Sequence, residues 1–270
     1  MSSSDLLLPL WGLIVLTIAM VGGWVLQLRT RNAGTVDLLW AGGVGGLAIA
    51  YAALGSGWLP RRVLVAVLAG TWALRLCAHL ARRLQRDPED GRYANIRTRL
   101  GARFDVAMLG IFLAQGLLAT LLSLAFLVPC AAPEVGFGLR DLAAVVIWAV
   151  ALAGESIADR QLRLWRAAPS RSAQVCRMGL WRYSRHPNYF FEWVHWLSYP
   201  VLAIGLSFGW AVWLAPALML FLVLKVTGIP PTEEQSLRSR GEDYRLYQRT
   251  TNAFFPGPRK SRPQSATQIT

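Results

Sequence analysis

Residues 106–129 read VAMLGIFLAQGLLATLLSLAFLVP, and no charged side chain interrupts them. As an α-helix this run extends about 36 Å, enough to cross a hydrocarbon core about 30 Å thick. Comparable apolar runs recur near 9–28, 37–55, 63–81, 141–158, 190–208 and 210–228. The 270-residue chain is 54% hydrophobic, contains 12 tryptophans and has a mean hydropathy of +0.37, more apolar surface than one soluble core needs. The expected fold class is therefore all-α: a polytopic membrane protein with seven transmembrane helices. Only Ser207-Phe208-Gly209 separates the last two runs.

The net charge of +13 is distributed by topology. Seven spans place the N-terminus, 56–62, 130–140 and 205–210 on one side, whose basic residues are Arg61, Arg62 and Arg140. The opposite side holds Arg29 and Arg31, seven arginines in 82–103, seven in 160–185 and seven Lys/Arg in 238–262. Arg75 lies within a span and Lys225 near the end of the last. By the positive-inside rule this sets the N-terminus outside and the C-terminus in the cytoplasm. It also argues against nucleic acid as the reason for the charge. The start, Met-Ser-Ser-Ser-Asp, lacks the basic leader of a cleavable secretory signal. Cys77, Cys130 and Cys176 are irregularly spaced, and His79, His186 and His195 form no metal-ligand pattern with them or with carboxylates, so no metal is expected.

The chain is expected to be one integral-membrane domain, 1–256, with a disordered tail, 257–270. A charged loop at 82–105 contains Pro88 and Gly91, and 159–189 forms a second connection that opens as a continuation of the fifth span. The glycine-rich run Gly42-Gly43-Val44-Gly45-Gly46 imitates a dinucleotide-binding fingerprint. It lies inside an apolar helix, where small residues that let helices approach are the better explanation.

Four constellations carry chemistry. Glu155, Asp159, Arg163 and Arg166 are spaced four, four and three apart, which stacks them on one helical stripe. That stripe is either an ion-pair ladder reaching for the interface or one wall of a polar cavity. An acid as deep as Glu155 requires a partner or water, which favours the cavity. The second is Gly-Leu-Trp-Arg-Tyr-Ser-Arg-His-Pro-Asn-Tyr-Phe-Phe-Glu, 179–192. Pro187 sets a helix start, leaving His186, Asn188 and Tyr189 beside free backbone donors, with Glu192 in the first turns. An interfacial aromatic belt accounts for Trp181, Arg182 and Tyr183 but not for Asn188 and Glu192. The third, Glu233-Glu234-Gln235 followed by Gly241-Glu242-Asp243-Tyr244-Arg245-Leu246-Tyr247, reads as an amphipathic helix or as the closure of a cofactor site. The fourth is Arg83, Arg92, Tyr93 and Arg97 in the 82–97 loop, with His79 and Asp37 nearby in the spans.

Gly179-Leu180-Trp181 with Arg185-His186-Pro187-Asn188-Tyr189 and Glu192 resembles the steroid 5α-reductases, their bacterial relatives and the sterol reductases of the lamin-B-receptor type. Further matches are Val36-Asp37-Leu38-Leu39-Trp40, Leu74-Arg75-Leu76, Glu89-Asp90-Gly91-Arg92-Tyr93, Glu155-Ser156-Ile157-Ala158-Asp159-Arg160-Gln161 and the Tyr244/Tyr247 tail. Isoprenylcysteine and phospholipid methyltransferases share Arg-His-Pro, the Glu-Glu pair and the Gly-x-x-Tyr-x-x-Tyr tail, whereas Asn188 and Glu192 lean toward the reductases. Phe191 departs from the pattern, because these families usually carry glycine there.

The resemblance implies NADPH held by the half at roughly 140–256. It assigns Asp159, Arg166, Asn188, Tyr189 and Glu192 as cofactor contacts, joined by Glu155, Arg163, Arg185, His186, Glu233 and Tyr244. Trp181, Tyr183 and Tyr247 complete that set, and Arg83 and Arg92 are expected to reach the adenine-side phosphates. The steroid enzymes hold the substrate ketone with a Glu–Tyr pair. No glutamate occurs in 1–88, so Tyr93, His79 and Asp37 are the candidate catalytic residues. The implied function is NADPH-dependent reduction of the C=C bond of a lipid-soluble enone, with 3-oxo-Δ4-steroids the leading substrates. The substrate enters from the lipid bilayer of a bacterial inner membrane, and the active-site mouth faces the cytoplasm. Two alternatives are an S-adenosylmethionine-dependent methyltransferase of a lipid or prenylated acceptor and a non-catalytic sterol- or lipid-binding protein.

Overall fold

The computed structural model describes residues 2–86, 89–167 and 174–260. Pro88, Arg171 and the stretch 261–270 of the expected disordered end lie outside them. The described residues form helices and no strand. In chain order they are α1 (Ser3–Thr30), α2 (Thr35–Leu54), α3 (Leu59–Arg86), α4 (Gly91–Leu100), α5 (Phe104–Cys130), α6 (Leu139–Arg166), α7 (Pro187–Trp196), α8 (Ser198–Leu202), α9 (Leu214–Phe221) and α10 (Ile229–Thr250). Six helical stretches among the described residues are long and apolar enough to cross a membrane: 3–30, 35–54, 59–85, 91–130, 139–166 and 209–250. The chain has the character of an integral membrane protein.

The expected span at 190–208 is not one continuous helix. Pro200 has no N–H to donate to the carbonyl of Trp196, so α7 ends there and α8 begins after Leu197. Gly205 and Phe208 then adopt positive φ, and the chain turns before reaching a 3-10 segment at Gly209–Trp213.

The chain divides into two compact units, Met1–Val146 with Leu197–Ala217 and Ile147–Trp196 with Leu218–Thr270. The segment 197–217, which the sequence reading placed in the cofactor half, thus groups with the first unit. In that unit α2 packs on α3 and α5, and α1 packs on α5 and α2. Leu6, Leu10, Trp11, Ile14 and Ile18 of α1 are exposed, while Asp5, Gln27, Thr120 and Ser123 are buried. Apolar outside and polar inside suits lipid as the solvent.

Two of the four glycines in the α2 run, Gly43 and Gly45, are explained by this packing, whereas Gly46 has open space around it. A Cβ on Gly45 would stand 2.2 Å from the Cβ of Ala73 in α3, and one on Gly43 would stand 2.7 Å from Leu16 of α1. The basic residues on the sparse side of the charge pattern are also used internally. Arg61 is buried, pairs with Asp141 at 3.3 Å and donates to the carbonyls of Glu134 and Gly136 at 3.0 Å each. Arg62 caps the end of α2 through the carbonyls of Ala52 and Gly55, and Arg140 donates to the carbonyl of Ile204.

In the second unit the last helix is entered through a π-helical turn, Leu222–Val226, and α10 kinks at Gly241 (φ 51°, ψ −124°). Residues 257–260, assigned to the disordered tail from sequence, instead fold back. Gly257 N donates to Tyr183 O and Lys260 N to Thr250 O, both at 3.0 Å. These backbone bonds satisfy groups that composition alone left to solvent.

Candidate functional site

Each unit carries one polar centre. In the second unit, α6 supplies Glu155 and Asp159, both buried, while Arg163 and Arg166 are exposed one and two turns on. The predicted stripe therefore exists, with its acids inside and its cations at the surface. Pro187 is the first residue of α7, as its missing N–H favours. Asn188 follows, and its Nδ2 lies 3.5 Å from Oδ1 of Asp159. The Asn188 Oδ1 is buried and has no hydrogen-bond partner. Glu192, one turn further, accepts from the indole of Trp196 at 3.1 Å.

Much of the surrounding signature holds these residues in place. Gly179 has φ +54°, which favours glycine, and a Cβ there would stand 2.2 Å from Gln161 Nε2 and push that side chain aside. That approach lets Leu180 N donate to Gln161 Oε1 at 2.9 Å, while Trp181 Nε1 donates to Ala158 O at 2.9 Å. Gly-Leu-Trp is thus a clasp on the turn of α6 that carries Asp159. Tyr247 is buried, and its hydroxyl donates to the carbonyl of Trp181, with the Ser184 carbonyl 3.2 Å away, fixing the clasp to α10. Tyr183 remains largely exposed.

Glu233 is the hub beneath. It accepts from Arg185 Nε at 2.7 Å, from His186 Nε2 at 3.1 Å and from Gln248 Nε2 at 2.6 Å, and Tyr244 also bonds to it. The Arg185 Nη1 donates to the carbonyls of Gln248 and Thr251 at 3.0 and 2.6 Å. Burial pushes the His186 imidazole below its ordinary pKa, so at neutral pH it is uncharged and gives Glu233 its Nε2 proton. Its ring stacks on Tyr189 at 5.4 Å, and the Tyr189 hydroxyl meets Thr232 Oγ1 at 3.2 Å. Sequence reasoning put Arg185, His186, Glu233, Tyr244, Tyr247 and Trp181 at a cofactor. In the structure, hydrogen bonds within the fold engage all six.

Phe191 finds its space on α6. A Cβ built on Gly154 would lie 2.4 Å from the Phe191 ring, so a glycine on one helix answers the bulk on the other. We expect Gly154→Ala to cost about 1–3 kcal/mol through overpacking, and Gly154→Ala with Phe191→Leu to recover most of it. Chemical unfolding of the two variants in detergent checks this, and equal stability of Gly154→Ala and wild type would refute the contact.

In the first unit, Glu89-Asp90-Gly91-Arg92-Tyr93 builds the second centre. Asp90 is the N-cap of α4 and accepts from Arg92 N at 2.8 Å. It also receives the Arg92 guanidinium at 3.0 and 3.2 Å and pairs with Arg83. Burial opposes the Asp90 charge, yet the hydrogen bonds and charges of Arg92 and Arg83 hold its carboxyl below the usual range. Arg92 Nη2 reaches Asp37 Oδ2 on α2 at 2.8 Å, and the Tyr93 hydroxyl donates to Asp37 Oδ1, also at 2.8 Å. Tyr93 is buried beside Met20, Val36, Phe104 and Met108. Glu89 ties the same loop down through Arg97 at 2.7 Å and Ala33 N at 3.0 Å. A small cleft lined by Asn32, Asp37, Leu80, Arg83 and Asp90 opens beside Asp37, and His79 precedes Leu80 on α3. Of the three candidate catalytic residues, two are therefore in direct contact. Arg83 and Arg92, expected at phosphates, are engaged by Asp90 and Asp37. The role of Asp90 as the shared acceptor went unread in the sequence, although Asp-Gly before a helix is a visible N-cap signal.

A family model described as a protein of unknown function, DUF1295, matches residues 23–251. No curated protein and no solved structure matches the chain.

Proposed function

The chain belongs to the DUF1295 family, and from its two polar centres we propose that it is an NADPH-dependent membrane reductase of a lipid-soluble enone. The observation that carries this reading is the buried Asn188 carbonyl oxygen without a partner, on a side chain whose Nδ2 lies 3.5 Å from the buried Asp159 carboxylate. A buried acceptor of this kind suits a ligand that brings an N–H or O–H donor. The amide of a nicotinamide or the amine of an adenine offers such groups, and the exposed Arg163 and Arg166 suit phosphate. The residues present thus fit the cofactor that the resemblance to steroid 5α-reductases implies.

Within this reading Asp159, Asn188 and Glu192 orient the cofactor, and the Gly-Leu-Trp clasp fixes the helix turn from which Asp159 projects. Bound NADPH supplies the hydride. As the β carbon of the enone is reduced, negative charge develops on the carbonyl oxygen, and a poised hydroxyl lowers the barrier there. Tyr93 is the hydroxyl we assign to that task, with Asp37 as its acceptor at rest. The acid–tyrosine pair has the chemistry of the Glu–Tyr pair of the steroid enzymes, with aspartate as the acid. The substrate reaches it from the bilayer, and 3-oxo-Δ4-steroids are the first compounds to assay. Seven crossings, with the N-terminus outside and the cofactor mouth cytoplasmic, complete the proposal. The three basic residues of the sparse side are tied internally, which supports that orientation by leaving the other flank to set it.

Thermal stability of the detergent-purified protein with NADPH or S-adenosylmethionine tests the reading. Stabilisation by NADPH alone is expected. Stabilisation by S-adenosylmethionine alone would assign a methyltransferase. Asn188→Ala and Arg166→Ala are each expected to weaken NADPH about tenfold, or about 1.4 kcal/mol. Unchanged affinity in both variants would remove the proposed site.

A further inference from the structure

We infer that Arg92 is a positioning residue for the Asp37–Tyr93 pair, not a phosphate contact, an assignment that rests on the reductase reading above. Its guanidinium spans two carboxylates, Asp37 Oδ2 at 2.8 Å and Asp90 at 3.0 and 3.2 Å. Asp90 in turn is braced by Arg83 and by the backbone N–H of Arg92 itself. The cation is thus anchored from behind, and its Nη2 faces Asp37.

The division of Asp37 into two ends gives this arrangement its consequence. Oδ1 takes the Tyr93 proton and Oδ2 takes Arg92. A phenol has one proton to donate, so Tyr93 cannot serve Asp37 and a substrate carbonyl together. When Tyr93 turns its proton to a carbonyl, Asp37 loses one hydrogen bond. A carboxylate left with no donor in a half-buried site resists that loss, because an unsatisfied charge there is costly. With Arg92 still bonded, Asp37 keeps a charge-assisted partner and the switch is permitted. Tyr93 and Arg92 are adjacent at the first turn of α4, which Asp90 caps, and both reach the one carboxylate of Asp37.

The two roles for Arg92 separate in kinetics. A positioning role predicts that Arg92→Gln lowers kcat about a hundredfold while leaving the KM and binding of NADPH unchanged. It also predicts substantial rescue by Arg92→Lys, and a double variant with Tyr93→Phe little worse than Tyr93→Phe alone. Should Arg92→Gln fold poorly, Arg92→Met, which removes the charge and keeps the apolar stem, and the Tyr93→Phe cycle built on it carry the same comparison. Weakened NADPH binding at unchanged kcat would overturn the assignment in favour of a phosphate contact, as would additive losses in the double variant. Wild-type protein that neither binds NADPH nor reduces an enone would instead bring down the reductase reading, and this assignment with it.

Discussion

Glu233→Ala is expected to lower stability by about 3–5 kcal/mol, the cost of leaving a largely buried cation, the buried His186 and Gln248 without their shared anion. The substitution takes one acceptor from Arg185, His186 and Gln248 at once. Arg185 would keep its carbonyl partners at Gln248 and Thr251, but its charge would have no counter-ion among them. For a chain of this size that loss corresponds to a drop in Tm of roughly 6–20 °C. Glu233→Gln keeps an acceptor oxygen and should cost about 1–2 kcal/mol. Thermal melts of both variants in one detergent decide the matter. If Glu233→Ala melts within a degree or two of wild type, the hub does not hold the second unit.

The second large effect concerns turnover. Tyr93→Phe removes one oxygen and leaves the packing against Met20, Val36 and Phe104 intact. Stability should change by about 1 kcal/mol, the net worth of one hydrogen bond. The proposed chemistry changes far more: without the donor at the developing enolate oxygen, kcat should fall about 10²–10³-fold. NADPH affinity should not move, because Tyr93 is not among the residues assigned to hold it. A Tyr93→Phe enzyme that reduces an enone at the wild-type rate would exclude Tyr93 as the polarising group, and His79→Phe would become the next variant to measure.

Composition and run length made the membrane class legible, since about 20 apolar residues in a row have few other uses. The stripe on α6 was equally legible, because spacings of four and three on a helix fix which residues share a face. Pro187 announced the start of α7 for a purely local reason. What sequence could not supply were the long-range partners. Arg185 reads as a cofactor contact in the sequence, and nothing there shows that Glu233, 48 positions away, pairs with it at 2.7 Å. Phe191 reads in the sequence only as a departure from the family pattern, because the glycine that makes room for it, Gly154, lies on another helix. The break at Leu197 was hidden for the opposite reason: Pro200 was visible, but an apolar run gives no sign of whether a proline bends a helix or ends it.

The Glu233 hub also bears on how such proteins are grouped. Arg185, His186, Glu233 and the Tyr247 hydroxyl serve internal bonds of this fold, which do not depend on the molecule the chain transforms. A search pattern written around Arg-His-Pro and the tyrosine tail therefore gathers chains by shared carpentry and mixes reaction types. Sorting them by chemistry calls for a pattern centred on the positions equivalent to 159, 188 and 192.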